Sequence, residues 1–301
     1  MRTIITGGLG FVGRQLSLRL LQKGHEVLAI GLRATPSLIE HPAFRYLAAD
    51  TTQKGKWLDE VASADAVVNL AGKTILKRWT TAYKEEIYNS RILTTRNIVG
   101  ALPNDRPVTL CSCSAVGFYG DRGEDALTES EPPGADFLAR VGIDWEAEAY
   151  KAEAKGVRVV ALRFGIVLGK GGGALASMLP AFRMFAGGPL GSGQQWFPWI
   201  HMADLLAAID FIIHDPSVDK PVNLVAPHPV RNRELARTLG KVLNRPAVMP
   251  APAFMIRMAM GELGGTLLVS QKAIPQRLLR HGFEFQFSEL KPALENLLLN
   301  K

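Results

Sequence analysis

The sequence predicts a mixed α/β fold built on a doubly wound parallel sheet. Apolar, β-rich runs alternate with helical patterns through the first half of the chain. A glycine-rich turn, "TGGLGFVG", joins the first such run to the first helical pattern. The fourth run, "ADAVVNLAG", is apolar nearly throughout, as a strand covered on both faces must be. The chain has 301 residues, 47% of them hydrophobic and 21% charged. That length is enough to bury a large core.

The elements follow in order. "RTIIT" reads as the first strand. Residues 10 to 23 place Phe11, Val12, Leu16, Leu18, Leu20 and Leu21 at helical spacing. "HEVLAI" and "FRYLAAD" are the second and third strands, and "ADAVVNLAG" is the fourth. A long helix fills residues 81 to 101, and "VTLCSCS" is the fifth strand. Residues 137 to 155 read as another helix, and "VRVVALRFG" as the sixth strand. After Gly165 the pattern changes to the loop-rich "GKGGG" and "AGGPLGSG". "ADLLAAIDFIIH" then returns to an amphipathic helix and "PVNLVA" to a strand. The expected organisation is a nucleotide-type α/β unit over residues 1–165 plus about 200–226. A smaller, discontinuous C-terminal α/β unit takes about 166–199 plus 227–301.

Composition narrows the function classes. No apolar run approaches the ~18 residues that span a bilayer, and "AFMIRMAM" is interrupted by Arg257. No cleavable apolar leader follows Met1 and Arg2, so the expectation is a cytoplasmic protein without a membrane partner. The net charge is +7, but the cations are scattered, and a nucleic-acid surface needs them clustered. Cys111 and Cys113 fall two residues apart on one strand. They read as small buried apolar residues, and no metal site is expected. The sequence does not specify an oligomeric state.

The glycine turn carries the clearest chemistry. Gly7 permits a tight turn, Gly10 lets a pyrophosphate approach the backbone, and Gly13 allows close packing of helix on strand. Phe11 and Val12 open a helix whose free N–H groups favour an anion. This is the Rossmann dinucleotide pattern. An NAD site usually has Asp or Glu at the end of the second strand; here the chain reads "AIGLRATPS". Leu32 and Arg33 stand at that end, and a guanidinium holds a 2′-phosphate and stacks on adenine. NADP(H) is therefore the expected cofactor. Asp50 is placed to accept from the adenine amine, or to cap the next helix. Leu70, Ala71 and Gly72 end the fourth strand, where ligands of such sheets lie. Val167 is a further expected contact.

Taken together, "TGGLGFVG", "NLAG", "SAVGFYG", "LRFGIVLG" and "WIHMAD" resemble the extended short-chain dehydrogenase/reductase superfamily of NAD-dependent epimerases and dehydratases. "RWT", Ser90-Arg91, "DWE" at 144–146, "GGG" at 171–173 and "GF" at 282–283 narrow this to an atypical epimerase-family subgroup of poorly defined activity. The resemblance implies a Ser–Tyr–Lys trio, with the smaller unit binding substrate. It places Ser114 at the family serine. However, the helix "DFLARVGIDWEAEA" contains no Tyr-x-x-x-Lys, and Tyr150 and Lys151 are adjacent. Tyr119 is a candidate substitute for moving the proton. Arg91 is a candidate for a cofactor phosphate or for the missing lysine's electrostatic role, with Glu86 orienting it. The resemblance also implies an arginine at position 197. Phe197 stands there, so Trp196, Phe197 and Trp199 suggest an aromatic, less anionic substrate pocket. His201 reads as structural.

Two functions are compatible with these residues. One is an NADP(H)-dependent oxidoreductase or epimerase acting on a small carbonyl or hydroxyl substrate. The other is a non-catalytic NADP(H)-binding sensor that acts through a protein partner.

Overall fold

The computed structural model describes residues 1–34 and 39–299, so Thr35, Pro36 and Ser37 of the "AIGLRATPS" segment lie outside the described residues. Seven strands form the central sheet: β1 (Arg2–Thr6), β2 (Glu26–Gly31), β3 (Phe44–Ala48), β4 (Ala66–Asn69), β5 (Thr109–Ala115), β6 (Arg158–Phe164) and β7 (Val222–Leu224). Their order is β7-β6-β5-β4-β1-β2-β3, and every neighbouring pair is parallel. The order reverses between β1 and β4, which opens a crevice at the carboxyl ends of those strands.

Strand periodicity assigns side chains to two cores. Ile5, Val68 and Cys111 face one side, where they meet Leu16 and Leu20 of α1 (Phe11–Gln22) and Leu205, Ile209 and Ile212 of the helix Met202–His214. Their strand neighbours Ile4, Val67 and Leu110 face the other side. There they meet Trp57 and Val61 of α2 (Trp57–Ala62), Ile98 of α3 (Thr81–Ala101) and Ala149 of α4 (Phe137–Tyr150). Cys111 and Cys113 are both free thiols, and burial pushes each up to about 12.

A third core gathers residues from beyond β6. Leu175 and Phe182 of α5 (Gly173–Arg183) pack with Trp199, with Leu235 and Leu239 of the helix Asn232–Leu243, and with Leu290 and Leu294 of the helix Leu290–Leu298. In chain order, Met202–His214 is α6 and Asn232–Leu243 is α7.

Helix starts follow local chemistry. Thr80 caps α3 by accepting from the Tyr83 N–H at 3.1 Å, and Asp136 caps α4 by accepting from Ala139 at 2.9 Å. The sequence suggests one helix from 137 to 155. The α-helix instead stops at Tyr150, and residues 151–155 tighten into a 3-10 turn closed by Gly156 at φ 74°. The tighter turn brings the Lys155 ammonium to the carbonyls of Val99, Gly100 and Leu102 at the end of α3. Those carbonyls lack helical partners, so the cation completes the helix end. Among the described residues no helix is long and apolar enough to cross a membrane.

Two polar groups on α6 hold the third core to the sheet. Asp204 is 1% exposed and accepts from the backbone N–H groups of Gln286 at 2.8 Å and Phe287 at 3.0 Å. Replacing it by alanine leaves two part-buried backbone donors without their acceptor. The expected cost of Asp204→Ala is about 2–4 kcal/mol, measured by urea denaturation. His201 begins α6, where its Nδ1 accepts from the Ala203 N–H at 3.1 Å. Burial pushes its imidazolium pKa down to about 4, against about 6.5 when unfolded. The folded state therefore takes up a proton less readily than the unfolded chain, and stability is lost as pH falls from about 6.5 toward 4. The expected loss is up to about 3 kcal/mol. His201→Asn keeps a capping oxygen, and denaturation curves across that window should show most of this loss removed.

Candidate functional site

The crevice between β1 and β4 is shaped by backbone contacts that only glycine permits. Gly7 has φ 69°, and a Cβ there would sit 2.9 Å from the Leu70 carbonyl oxygen at the end of β4. A Cβ on Gly13 would lie 2.3 Å from the Gly7 oxygen. The Gly7 N–H donates to Ile30 O at 2.8 Å, so the turn is fixed to β2 as well. The turn delivers the chain into α1 with Gly10 as its N-cap, with no side-chain cap and no acidic residue in the first turn. The positive end of the helix dipole thus meets the crevice with no acidic side chain in the helix's own first turn.

The resulting cleft has a volume of about 420 Å³. Gly7, Gly10, Leu32, Arg33, Asp50, Leu70, Ala71 and Gly72 all line it. Leu32 is 77% exposed, and Arg33 is exposed beside it. The loop carrying Arg33 is held by Tyr46 of β3, whose hydroxyl donates to Arg33 O at 2.8 Å. Asp50 is exposed at the end of β3, where its Oδ1 accepts from the Thr52 N–H at 3.0 Å and hydroxyl at 2.7 Å. Asp50 therefore braces its own turn and is not the cap of α2, whose N-cap is Lys56. A cleft with an uncapped helix end, a fixed glycine turn and an exposed guanidinium fits a dinucleotide with an extra phosphate.

Several expected contacts serve this cleft from behind. The Phe11 ring packs against the glycine loop after β6, so a Cβ on Gly172 would lie 2.4 Å from it and one on Gly169 or Gly173 2.8 Å. That contact accounts for Gly169, Gly172 and Gly173 of "GKGGG", while Gly171 has φ 74°. Val12 and Val167 pack against the first core, with Val167 in the short strand Ile166–Leu168. Glu86 does not orient Arg91; it pairs with Lys73. The Arg91 Nη1 instead donates to Lys73 O at 3.1 Å and to Ile87 O at 2.9 Å, and its guanidinium lies 5.1 Å over the Trp145 ring. Burial lowers its pKa from the ordinary value. Arg91 thus holds the Gly72–Lys73 backbone against α4. A Cβ on Gly72 would be 3.2 Å from its Cζ.

Lys73, Tyr46, Thr51, Ser90 and Thr94 also line the cleft and were not expected there. Lys73 had one available signal, its place directly after the "NLAG" turn. The others come from α3, β3 and the turn after β3, whose facing depends on the packed sheet.

Ser114 and Tyr119 are close in the structure but turn away from the cleft. The Ser114 hydroxyl is 1% exposed and donates to Glu146 Oε1 at 2.7 Å. Glu146, on α4, forms a bidentate pair with Arg163 of β6, with Nε–Oε1 and Nη2–Oε2 both 2.8 Å. Arg163 Nη1 donates to the Tyr119 hydroxyl at 2.9 Å, and that hydroxyl donates to Asn223 Oδ1 at 2.7 Å. Tyr119 is fully buried, and burial pushes its phenol up to about 12 against the opposing influence of Arg163. Its proton is retained at neutral pH, so the geometry does not suit it to act as a base. Strand alternation explains the serine. On β5, Ser114 points inward, while Cys113 is half-buried and Ala115 exposed.

The three aromatics of "WFPW" do not converge on one pocket. Trp196 lies between Arg231, 4.4 Å from its ring, and Lys272 at 4.8 Å, while its Nε1 donates to Glu124 at 3.0 Å. Phe197 packs against the third core, and Trp199 is 1% exposed within it. The reason is again alternation through two short strands that serve the packing of α5 and α7. Among the described residues, no Tyr-x-x-x-Lys pair appears on α4.

The interior network generates a prediction. Glu146→Ala leaves Arg163 buried without its carboxylate and should cost about 3–5 kcal/mol in denaturant titrations. Ser114→Ala, with the Glu146–Arg163 pair intact, should cost only about 1 kcal/mol.

Residues 3–225 match the family model described as the NAD dependent epimerase/dehydratase family, and residues 251–297 match one described as a domain of unknown function, DUF1731. An Arabidopsis thaliana protein named epimerase family protein SDR39U1 homolog, chloroplastic, is 41% identical over 99% of this chain and 87% of its own length. The Bacillus subtilis epimerase family protein YfhF is 35% identical over 100% of this chain and 99% of its own. Among solved structures, human epimerase family protein SDR39U1 (isoform 2) with NADPH superposes with a TM-score of 0.85 at 33% identity, covering 100% of both chains. The glycine turn, the seven-stranded parallel sheet and these similarities agree, and the chain belongs to the NAD-dependent epimerase/dehydratase family, among its SDR39U1-like epimerase family proteins.

Proposed function

We propose that this chain binds NADP(H) and acts as an oxidoreductase or epimerase-like enzyme on a small carbonyl or hydroxyl compound. The observation that carries the reading is the uncapped start of α1 behind the glycine turn, with Arg33 exposed at the end of β2. The human relative's structure with NADPH supports the same cofactor.

In this reading the first-turn N–H groups of α1 hold the pyrophosphate, while Gly7 and Gly10 let it approach the backbone. Arg33 holds the 2′-phosphate, and Asp50 accepts from the adenine amine. Leu70, Ala71 and Gly72 form the floor beside the ribose. NADP(H), when bound, supplies a hydride donor or acceptor. Ser114 and Tyr119 act as positioning residues that fix β5 against α4, because their hydroxyls are spent on the interior. Lys73, like Arg33, is a cation on the cleft wall. The hydrogen bond and charge of Glu86 raise its ammonium pKa, so it stays charged at neutral pH. It takes the electrostatic part played in typical relatives by a helix lysine, and a bound water takes the proton.

Three measurements test this reading. Arg33→Ala should weaken NADPH about tenfold or more in fluorescence titrations and leave NADH nearly unchanged. Lys73→Met should lower turnover on a responsive carbonyl by about 10- to 100-fold. Its NADPH affinity should stay within about threefold. Ser114→Ala should retain turnover. If NADPH binds but no member of a broad carbonyl and hydroxyl panel is turned over, the enzymatic reading fails.

A further inference from the structure

At the end of the sheet opposite the cleft, α6 meets the turn between α1 and β2. Three side chains far apart in sequence converge there. His25, Asp210 and His214 each offer one ligand-type atom, and these atoms all lie within 4.8 Å of one another. We propose that this cluster is a binding site for a divalent transition-metal ion of the zinc class.

The hydrogen bonds around the cluster support the assignment. The His214 Nδ1 lies 2.8 Å from the backbone oxygen of Asp210, which fixes a proton on Nδ1 and leaves the Nε2 lone pair free. The His25 Nδ1 lies 2.9 Å from the Thr3 hydroxyl, again leaving Nε2. Metal-binding histidines are oriented by such bonds to the second ring nitrogen. Asp210 is 8% exposed, and its Oδ1 has no hydrogen-bond donor although it is buried. Its Oδ2 is held by Arg19 Nη2 at 3.3 Å. One carboxylate oxygen is thus held by Arg19, while the other accepts no hydrogen bond and lies 3.2 Å from the His214 Nδ1.

The chemistry selects the ion. Arg19 stands directly behind the carboxylate, and a single carboxylate cannot offset both that cation and a hard divalent ion. An ion that bonds well to imidazole nitrogen is favoured instead. Donors around a tetrahedral zinc are separated by roughly 3.3 Å, given bonds of about 2.0–2.1 Å. The cluster must therefore contract on binding. His214 can supply the motion, because its side chain is 52% exposed in the last turn of α6. A fourth position remains for water. Residues 25 and 210 are joined only through the tertiary fold, so the ion would fasten α6 to the α1–β2 turn and stabilise the native state.

Zinc titration of the untagged, chelator-stripped full chain tests the proposal, followed by calorimetry and thermal denaturation. The expected result is one zinc bound per chain and a rise in Tm. His214→Ala, at a half-exposed position, should weaken zinc at least tenfold and abolish the Tm rise. Asp210→Asn should weaken it at least threefold, and His41→Ala, at an exposed histidine outside the cluster, should change nothing. Cobalt substitution should give a visible absorption band in the parent chain that is absent from His214→Ala. Absence of stoichiometric zinc binding in the parent chain, or equal binding by His214→Ala, would overturn the proposal.

Discussion

The bidentate ion pair between Glu146 and Arg163 is the interaction on which the centre of the molecule depends. Both side chains are at least nine-tenths buried. Burial opposes the charge on Arg163, but the hydrogen bonds and charge of Glu146 overcome it and raise the guanidinium pKa above its ordinary value. Such a pair is costly to desolvate, so its remaining hydrogen-bonding capacity must be filled. Ser114, Tyr119 and the Glu129 carbonyl fill it, and the Phe118 ring lies 3.6 Å from the guanidinium carbon. The network joins α4, β5, β6 and, through Asn223, β7. Four elements are fixed in relation to one another by charges that tolerate little displacement.

This network also accounts for the departure from the usual chemistry of the family. The residues that resemble a serine and a tyrosine of an active site are drawn into an ion-pair shell. The cleft itself remains shaped for a cofactor, because its geometry depends on glycines and strand ends and not on α4. Arg91 connects the two regions. It holds the backbone of Lys73 from below while stacking on Trp145 of α4. The cofactor wall and the altered helix therefore share a support without sharing a catalytic group.

Much of the cleft was legible because its determinants are local. Gly7, Gly10 and Gly13 act within one turn, and the absence of a carboxylate near Arg33 is visible in a few residues. The strands were legible for the same reason, since "AVVN" and "TLCSCS" carry their burial in their composition. Ser114 was legible as a position but not as a direction. One residue of shift along β5 decides between cleft and interior. The motif "WFPW" was similarly ambiguous, since an aromatic run serves a pocket or a core equally well. Glu86 and Arg91 lie five residues apart on α3, and only the placement of Lys73 on the neighbouring loop decides which cation the carboxylate meets.

The sequence by itself determined the parallel α/β architecture, the glycine turn and the missing Tyr-x-x-x-Lys, because each is written in spacing or in residue type along a short stretch. The tertiary structure decided the partners of charged and hydroxyl groups. Glu146 finds Arg163 across 17 positions, Tyr119 finds Asn223 across 104, and Arg19 finds Asp210 across 191. No local pattern encodes these distances. They are set when the helices close on the two faces of the sheet, where an unpaired charge or hydroxyl would be too costly to bury.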